Sequence, residues 1–391
     1  IPLITTNRIN TPEIAEKILA NGHANMVSLA RPFLADPNFV KKAAEGKSNE
    51  INTCIACNQA CLDHVFKRKI ASCLVNPIAC HETEITLSNT KLAKKIAVVG
   101  AGPAGLAFST TAAERGHNVT LFDKSNEIGG QFNLAKQIPG KEEFHETLRF
   151  YNKMIEKHGV ELKLNTIFDS TDASGFDEVV VATGIIPRKL SIEGIDNQKV
   201  VSYLDVLQKN VNIGEKVAII GAGGIGFDVA EYLTHQGEST ALSSSAFMKE
   251  WGVDQNLNAR GGVEGVKSQV VKSSRKVFLL QRKKSKVGAG LGKTTGWAHR
   301  FSLRSKNVKM INGVSYSKID DTGLHYVKNE KEIILDVDHI VICAGQLSNS
   351  YLHNQLISNE VKAHLIGGAF KAAEIDAKEA INQAVKLAAV I

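Results

Sequence analysis

Four cysteines fall close together in this chain of 391 residues: Cys54, Cys57 and Cys61 in "CIACNQAC", and Cys73 in "SCLVNP". The spacing is C-x2-C-x3-C-x11-C. Three thiols on one short loop can face one metal centre together. A disulfide framework suits secreted chains, and nothing else here reads as secreted. Structural zinc more often uses two separated C-x2-C knuckles. A tight triplet with one distant cysteine is closer to the ligation of a [4Fe–4S] cluster, whose soft iron corners take thiolates. The cluster is the favoured reading, with zinc and unligated thiols as alternatives. Cys80 and Cys343 fall outside the pattern, and Cys343 in "HIVICAG" reads as a small core residue.

Two glycine-rich turns could hold nucleotides. In "KKIAVVGAGPAGLAFSTTAAERGHNVTLFDK" a buried strand runs into Gly100, Gly102 and Gly105, then a helix, then a strand ending at Asp123. The first glycine permits a tight turn, the second lets the backbone approach a pyrophosphate, and the third lets helix and strand pack closely. The pyrophosphate would lie on the helix N-terminus, and Asp123 could accept ribose hydroxyls. "EKVAIIGAGGIGFDVAEYLTHQG" repeats the pattern with Gly221, Gly223 and Gly226. No acid follows at the expected distance. A Gly- and Ser-rich stretch intervenes, expected as a surface excursion, and the next strand, "KVFLLQRKKSK", ends in Arg282, Lys283, Lys284 and Lys286. A carboxylate would repel a 2′-phosphate, whereas a guanidinium can bind it bidentately. NADPH is therefore favoured over NADH, the alternative being a solvated basic turn.

The elements that must position these residues read as α/β. "IPLITT" and "ANMVSLARP" read as buried strands, separated by a helix over "TPEIAEKILAN" with Thr11 as N-cap and Pro12 at its first position. Two strands cannot cover themselves, so residues 1–50 are expected to be the tail of a larger barrel. "FDEVVVATGIIPR" and "VDHIVICAGQLSN" read as strands that cross between two nested nucleotide-binding domains. "HLIGGAF" with a helix from about Glu374 would return the chain to the first. A net charge of +7 with scattered Lys and Arg and 6% aromatics suits anionic cofactors and speaks against nucleic acid. No apolar run is long enough for a membrane span and no signal peptide opens the chain, so a cytoplasmic location is expected.

Taken together, "ARPFLADP", "CIACNQAC", "SCLVNP", "GAGPAGLAF", "EIGGQFN", "IPGKEEF", "GGIGFD" and "GLGKTTGW" resemble the bacterial NADPH-dependent 2,4-dienoyl-CoA reductase family. These are iron–sulfur flavoenzymes related to old yellow enzyme and trimethylamine dehydrogenase. The resemblance implies that residues 1–50 are the last two βα units of an FMN-binding TIM barrel, the rest of which lies upstream. It implies a [4Fe–4S] segment over 51–93, an FAD-binding Rossmann-like domain over 94–185 and 346–391, and an NADPH-binding domain inserted at 186–345. By the resemblance, Cys54, Cys57, Cys61 and Cys73 are cluster ligands, and Arg8, Ala30 and Arg31 lie at the FMN. Ala104, Asp123, Gly130 and Gln131 match FAD contacts, and Arg282 and Lys286 the pair that selects NADPH. Gly367-Gly368-Ala369 departs from the wider flavin pattern, in which an acid follows the glycine.

The implied activity is reduction of an unsaturated fatty acyl-CoA in β-oxidation, electrons passing from NADPH to FAD, cluster, FMN and substrate. The catalytic proton donors are expected upstream of residue 1, so no residue here takes that role. His64, His81, His117 and His299 show no partner pattern. A related enoate oxidoreductase and an electron-transfer module without a substrate site are the alternatives. A monomer is favoured, although nothing in the sequence fixes the oligomeric state.

Overall fold

The central strands of the two parallel sheets are short runs with almost no polar interruption, such as Lys95–Val99 (KIAVV) and Lys216–Ile220 (KVAII). Continuous apolar strands of this kind suit parallel sheets covered on both faces. The computed structural model describes residues 1–372 and 376–391. The expected helix start at Glu374 lies outside them, and the described helix runs Ala377–Val390. The chain divides into two units, one of Ile1–Asn133, Glu143–Ile186 and Gln346–Ile391, the other of Leu134–Glu142 and Pro187–Gly345.

In the first unit a five-stranded sheet has the order Ala363–Leu365, Glu178–Val181, Lys95–Val99, Asn118–Phe122, Glu161–Lys163. All pairings are parallel. The helix Pro103–Glu114 packs between this sheet and Ala377–Val390, burying Leu106, Phe108, Ile381 and Ala384. The cysteine segment rests on the same core through Ile55, Leu74 and Val75. Glu178, only 2% exposed at its side chain, ties the sheet together by ion pairs to Lys94 (2.6 Å), Lys362 (2.8 Å) and His364 (2.6 Å). Burial alone would raise its pKa, but hydrogen bonds from Lys362, Lys94 and His364 prevail and hold the carboxyl down at about 2.

At the N-terminal end, Ile4–Thr6 and Met26–Ser28 pair in parallel around the helix Pro12–Ala20. Thr11 caps that helix by accepting from the Ile14 N–H (3.4 Å), as expected. The strands are not buried as expected: Ile4 is 64% and Met26 58% exposed. Two strands satisfy each other's hydrogen bonds but supply no second layer to cover their faces.

The second unit carries a parallel sheet in the order Lys309–Ile311, Lys276–Leu280, Lys216–Ile220, His339–Ile342, Val200–Ser202. A separate antiparallel sheet joins Ser315–Asp320, Gly323–Lys328 and Lys331–Leu335. The Gly- and Ser-rich excursion is more ordered than its composition suggests. It holds the helix Ser244–Trp251, capped by Ser243, and Trp251 stacks on Phe301 with centroids 5.4 Å apart. No helix among the described residues is long and apolar enough to cross a membrane.

Candidate functional site

In the first unit the glycine turn joins the central strand to the helix Pro103–Glu114. Gly100 has φ 110°, and a Cβ there would lie 2.4 Å from the Ala182 carbonyl oxygen. A Cβ on Gly105 would lie 1.8 Å from the Gly100 carbonyl oxygen. Only glycine permits that approach of helix to strand. Gly102 is the reverse case, with nothing within 4 Å of its Cβ position. Open space therefore faces the free N–H groups of the helix N-terminus, which favour an anion. Gly130 abuts Gly102, its Cβ position 3.2 Å from the Gly102 Cα, and Gly367 packs on Ala104 in the same way. Asp123 Oδ2 accepts from the Ala101 N–H (2.6 Å) and Oδ1 from the Ser125 N–H (2.8 Å). Its carboxylate thus braces the turn, with lone pairs left over for a ribose. Gln131 is exposed beside Gly130.

The second unit repeats the geometry. Gly221 has φ 113°, a Cβ on Gly226 would lie 1.8 Å from the Gly221 carbonyl oxygen, and nothing lies within 4 Å of the Cβ positions of Gly223 and Gly224. The basic loop after Lys276–Leu280 is a built turn. Gln281 Nε2 donates to the carbonyls of Lys283 (3.0 Å) and Ser285 (2.6 Å), and Asn312 Nδ2 to that of Lys284 (2.7 Å). Arg282 and Lys286 are exposed, and neither has an ion pair among the described residues. Both side chains are thus placed where they could meet a phosphate group.

Sequence reasoning missed a charged cluster behind this second turn. Lys141 Nζ bonds both Asp228 oxygens (2.6 and 2.7 Å), and His299 Nδ1 meets Glu231 Oε1 at 2.8 Å. Burial raises the Asp228 pKa against the pull of Lys141. The hydrogen bond to Glu231 raises that of His299 despite burial. Asp228 and Lys141 stood within "GGIGFD" and "IPGKEEF", but no spacing in either links them.

The four cysteines line one small cavity, of about 20 Å³, together with Arg31 and Asn58. Ala56 (φ 51°) and Asn58 (φ 59°) are left-handed. The backbone amide of Ala56 favours the thiolate of Cys54, that of Gln59 the thiolate of Cys57, and those of Val75 and Asn76 the thiolate of Cys73, each against burial. Burial pushes the thiols of Cys57 and Cys73 up to about 12 and raises that of Cys54. As thiolates they require a cationic partner in this apolar setting. Among the described residues no three His, Cys, Asp or Glu converge as they would on one metal ion.

A second cavity of about 360 Å³ adjoins the first and is lined by Arg8, Ala30 and Arg31. Arg31 and Cys54 border both cavities. Arg8 bonds Glu143 (3.1 Å), and Asn10 Nδ2 donates to Glu143 (2.7 Å) and to the Cys54 carbonyl (3.0 Å). Asn10, Asn58 and Glu143 were not singled out from the sequence, because polar residues in loops carry no signal of their own. His64 and His81 make local contacts, to the Ile70 carbonyl and Glu84, and His117 Nδ1 accepts from the Lys94 N–H.

The family model for pyridine nucleotide-disulphide oxidoreductases matches residues 94–362. That for the NADH:flavin oxidoreductase / NADH oxidase family matches residues 1–50. A metal reductase of Desulforamulus reducens is 33% identical over 394 residues, covering 99% of this chain and 58% of that protein. A cinnamate reductase of Clostridium sporogenes is 30% identical over 383 residues, covering 96% of this chain and 51% of that protein. A solved complex of 2-naphthoyl-CoA reductase with 2-naphthoyl-CoA superposes with a TM-score of 0.86 at 30% identity, over 100% of this chain and 54% of that one. The chain thus spans about half the length of the relatives it matches.

Proposed function

We propose that this chain, which belongs to the pyridine nucleotide-disulphide oxidoreductase family, carries the electron-input half of an NADPH-dependent reductase of 2,4-dienoyl-CoA. Membership brings with it binding of a flavin and of NAD(P)H. In the proposed assignment 94–185 with 346–391 binds FAD, 186–345 binds NADPH, 51–93 holds a [4Fe–4S] cluster and 1–50 contributes to an FMN site. The observation that carries the reading is that Arg31 and Cys54 border both the four-cysteine cavity and the pocket of Arg8 and Ala30.

Bound in these sites, the four groups supply the conversion of a two-electron hydride into single electrons and back. The chain supplies position and electrostatics. Gly102 and Gly223 leave room for a pyrophosphate on the helices Pro103–Glu114 and Gly224–Thr234. Asp123 orients the adenosine ribose of the FAD. Arg282 and Lys286 attract a 2′-phosphate that NADH lacks. Cys54, Cys57, Cys61 and Cys73 hold iron, and the backbone N–H groups facing three of these sulfurs stabilise their thiolate form. Arg8 is held at the wall of its pocket by Glu143.

A second reading, reduction of a free conjugated enoate, is favoured by the cinnamate reductase among the relatives. The two are separated by offering dienoyl-CoA and cinnamate to the complete polypeptide. The test of the core reading is anaerobic purification with cofactor analysis. About one FAD, about four irons and acid-labile sulfide per chain are expected, with NADPH-driven reduction of an artificial acceptor. Colourless, zinc-loaded protein would refute the cluster. Serine at each of the four cysteines should abolish iron retention, and serine at Cys80 should not.

A further inference from the structure

Arg31 begins the helix Arg31–Ala35 and is half-buried. Its two terminal nitrogens are anchored on opposite sides. Nη1 donates to Asn58 Oδ1 at 2.9 Å, one residue beyond Cys57, and Nη2 to Asn7 Oδ1 at 3.3 Å, on the wall of the adjoining pocket. Both acceptors are neutral amides. Among the described residues Arg31 has no ion pair, and two nearby acids are engaged elsewhere: Asp36 with Lys42 at 2.6 Å and Glu143 with Arg8 at 3.1 Å. A half-buried cation without a counter-ion is costly unless an anion completes the site.

Four cysteinate sulfurs around a [4Fe–4S] core make a net dianion when oxidised and a trianion when reduced. A fixed cation beside them favours the additional electron. We propose that Arg31, held in place by Asn58, is the counter-charge of the iron–sulfur group and sets its reduction potential. This role goes beyond contact with a flavin phosphate, and it rests on the reading that the four cysteines hold a cluster. Asn58 supports it by geometry. Its left-handed backbone (φ 59°) places its amide toward the guanidinium, and Asn tolerates that conformation better than most residues.

The test is a redox titration of the anaerobically purified protein, followed by electron paramagnetic resonance and poised with dithionite, with iron and FMN measured in parallel. Arg31→Gln should lower the equilibrium constant for one-electron reduction about tenfold, or about 59 mV. Arg31→Lys keeps the charge and should stay within about threefold of the unsubstituted protein. Asn58→Gly keeps the left-handed turn but releases the guanidinium, and should fall between the two. An unmoved potential in Arg31→Gln, with iron retained, overturns the proposal. So does loss of FMN alone, which would assign Arg31 to the flavin phosphate only. Should Arg31→Gln lose its iron, the decision passes to Asn58→Gly, where an unmoved potential overturns the proposal. Absence of iron from the unsubstituted protein is a separate result, which removes the cluster reading itself.

Discussion

Two glycines three residues apart should fail in opposite ways when replaced by alanine. At Gly105 the new methyl carbon would sit 1.8 Å from a backbone oxygen, where an ordinary contact exceeds about 3 Å. The helix Pro103–Glu114 would have to lift by about 1 Å, opening its packing at the buried Leu106, Ala107 and Phe108. Overpacking costs about 1–3 kcal/mol, and a backbone obstacle that cannot rotate away puts this case near the upper end. That corresponds to a fall in Tm of roughly 6–12 °C. At Gly102 nothing obstructs the methyl, and the backbone (φ −77°, ψ −177°) is open to alanine. Reduced freedom of the unfolded chain and a weaker helix cap roughly cancel, within about 1 kcal/mol. The methyl instead occupies the space in which a pyrophosphate would meet the helix N–H groups. Loss of two charge-assisted hydrogen bonds costs about 3 kcal/mol, more than a hundredfold in Kd for FAD. Flavin absorbance after exhaustive dialysis, with melting followed with and without added FAD, reads both effects. A Gly102→Ala protein that keeps its full flavin, or a Gly105→Ala protein that melts with the unsubstituted one, would refute the steric reasoning.

Arg282→Ala with Lys286→Ala should cut the preference for NADPH over NADH at least tenfold through KM for NADPH, leaving that for NADH within about twofold, as steady-state rates with an artificial acceptor would show. Ala56→Gly should retain iron, because glycine takes φ 51° without strain, whereas Ala56→Val should lose it; iron per chain decides. Glu178 has a folded pKa of about 2 against an unfolded value near 4.5, so its contribution is complete above the unfolded value. That contribution, on the order of 3 kcal/mol, is lost as pH falls from about 5 towards 2. Glu178→Gln should be less stable at neutral pH and lack that part of the acid transition in urea titrations, and a parallel pH dependence in the two proteins would exclude the assignment.

Much of the site was legible because glycine spacing reports steric contacts that are local in sequence. Gly100 with Gly105, and Gly221 with Gly226, give the same 1.8 Å approach in two unrelated stretches. The cysteines were legible for the same reason, three of them sharing one loop. The parts that escaped depend on pairs far apart in the chain. Glu178 meets Lys94 across 84 residues and Lys362 across 184, and His299 meets Glu231 across 68. Neither member of such a pair looks unlike an ordinary surface charge. Asn58 was hidden differently: its importance lies in a left-handed backbone and one amide oxygen, which the letter N after a cysteine does not declare. The aromatic anchoring of Ser244–Trp251 was masked by the Gly and Ser around it, since Trp251 finds Trp297 and Phe301 only in the folded chain.

The position of Glu178–Val181 between Lys95–Val99 and Ala363–Leu365 governs the order in which the protein is completed on the ribosome. Lys362, at the threshold of that closing strand, is translated 184 residues after Glu178. Throughout that interval one rim of a valine-rich strand has no neighbour to bond, and Ala377–Val390 has not yet been made to cover Pro103–Glu114. Every strand of the other sheet, from Val200 to Ile342, emerges in the meantime. The part synthesised in the middle is therefore finished before the part that begins first.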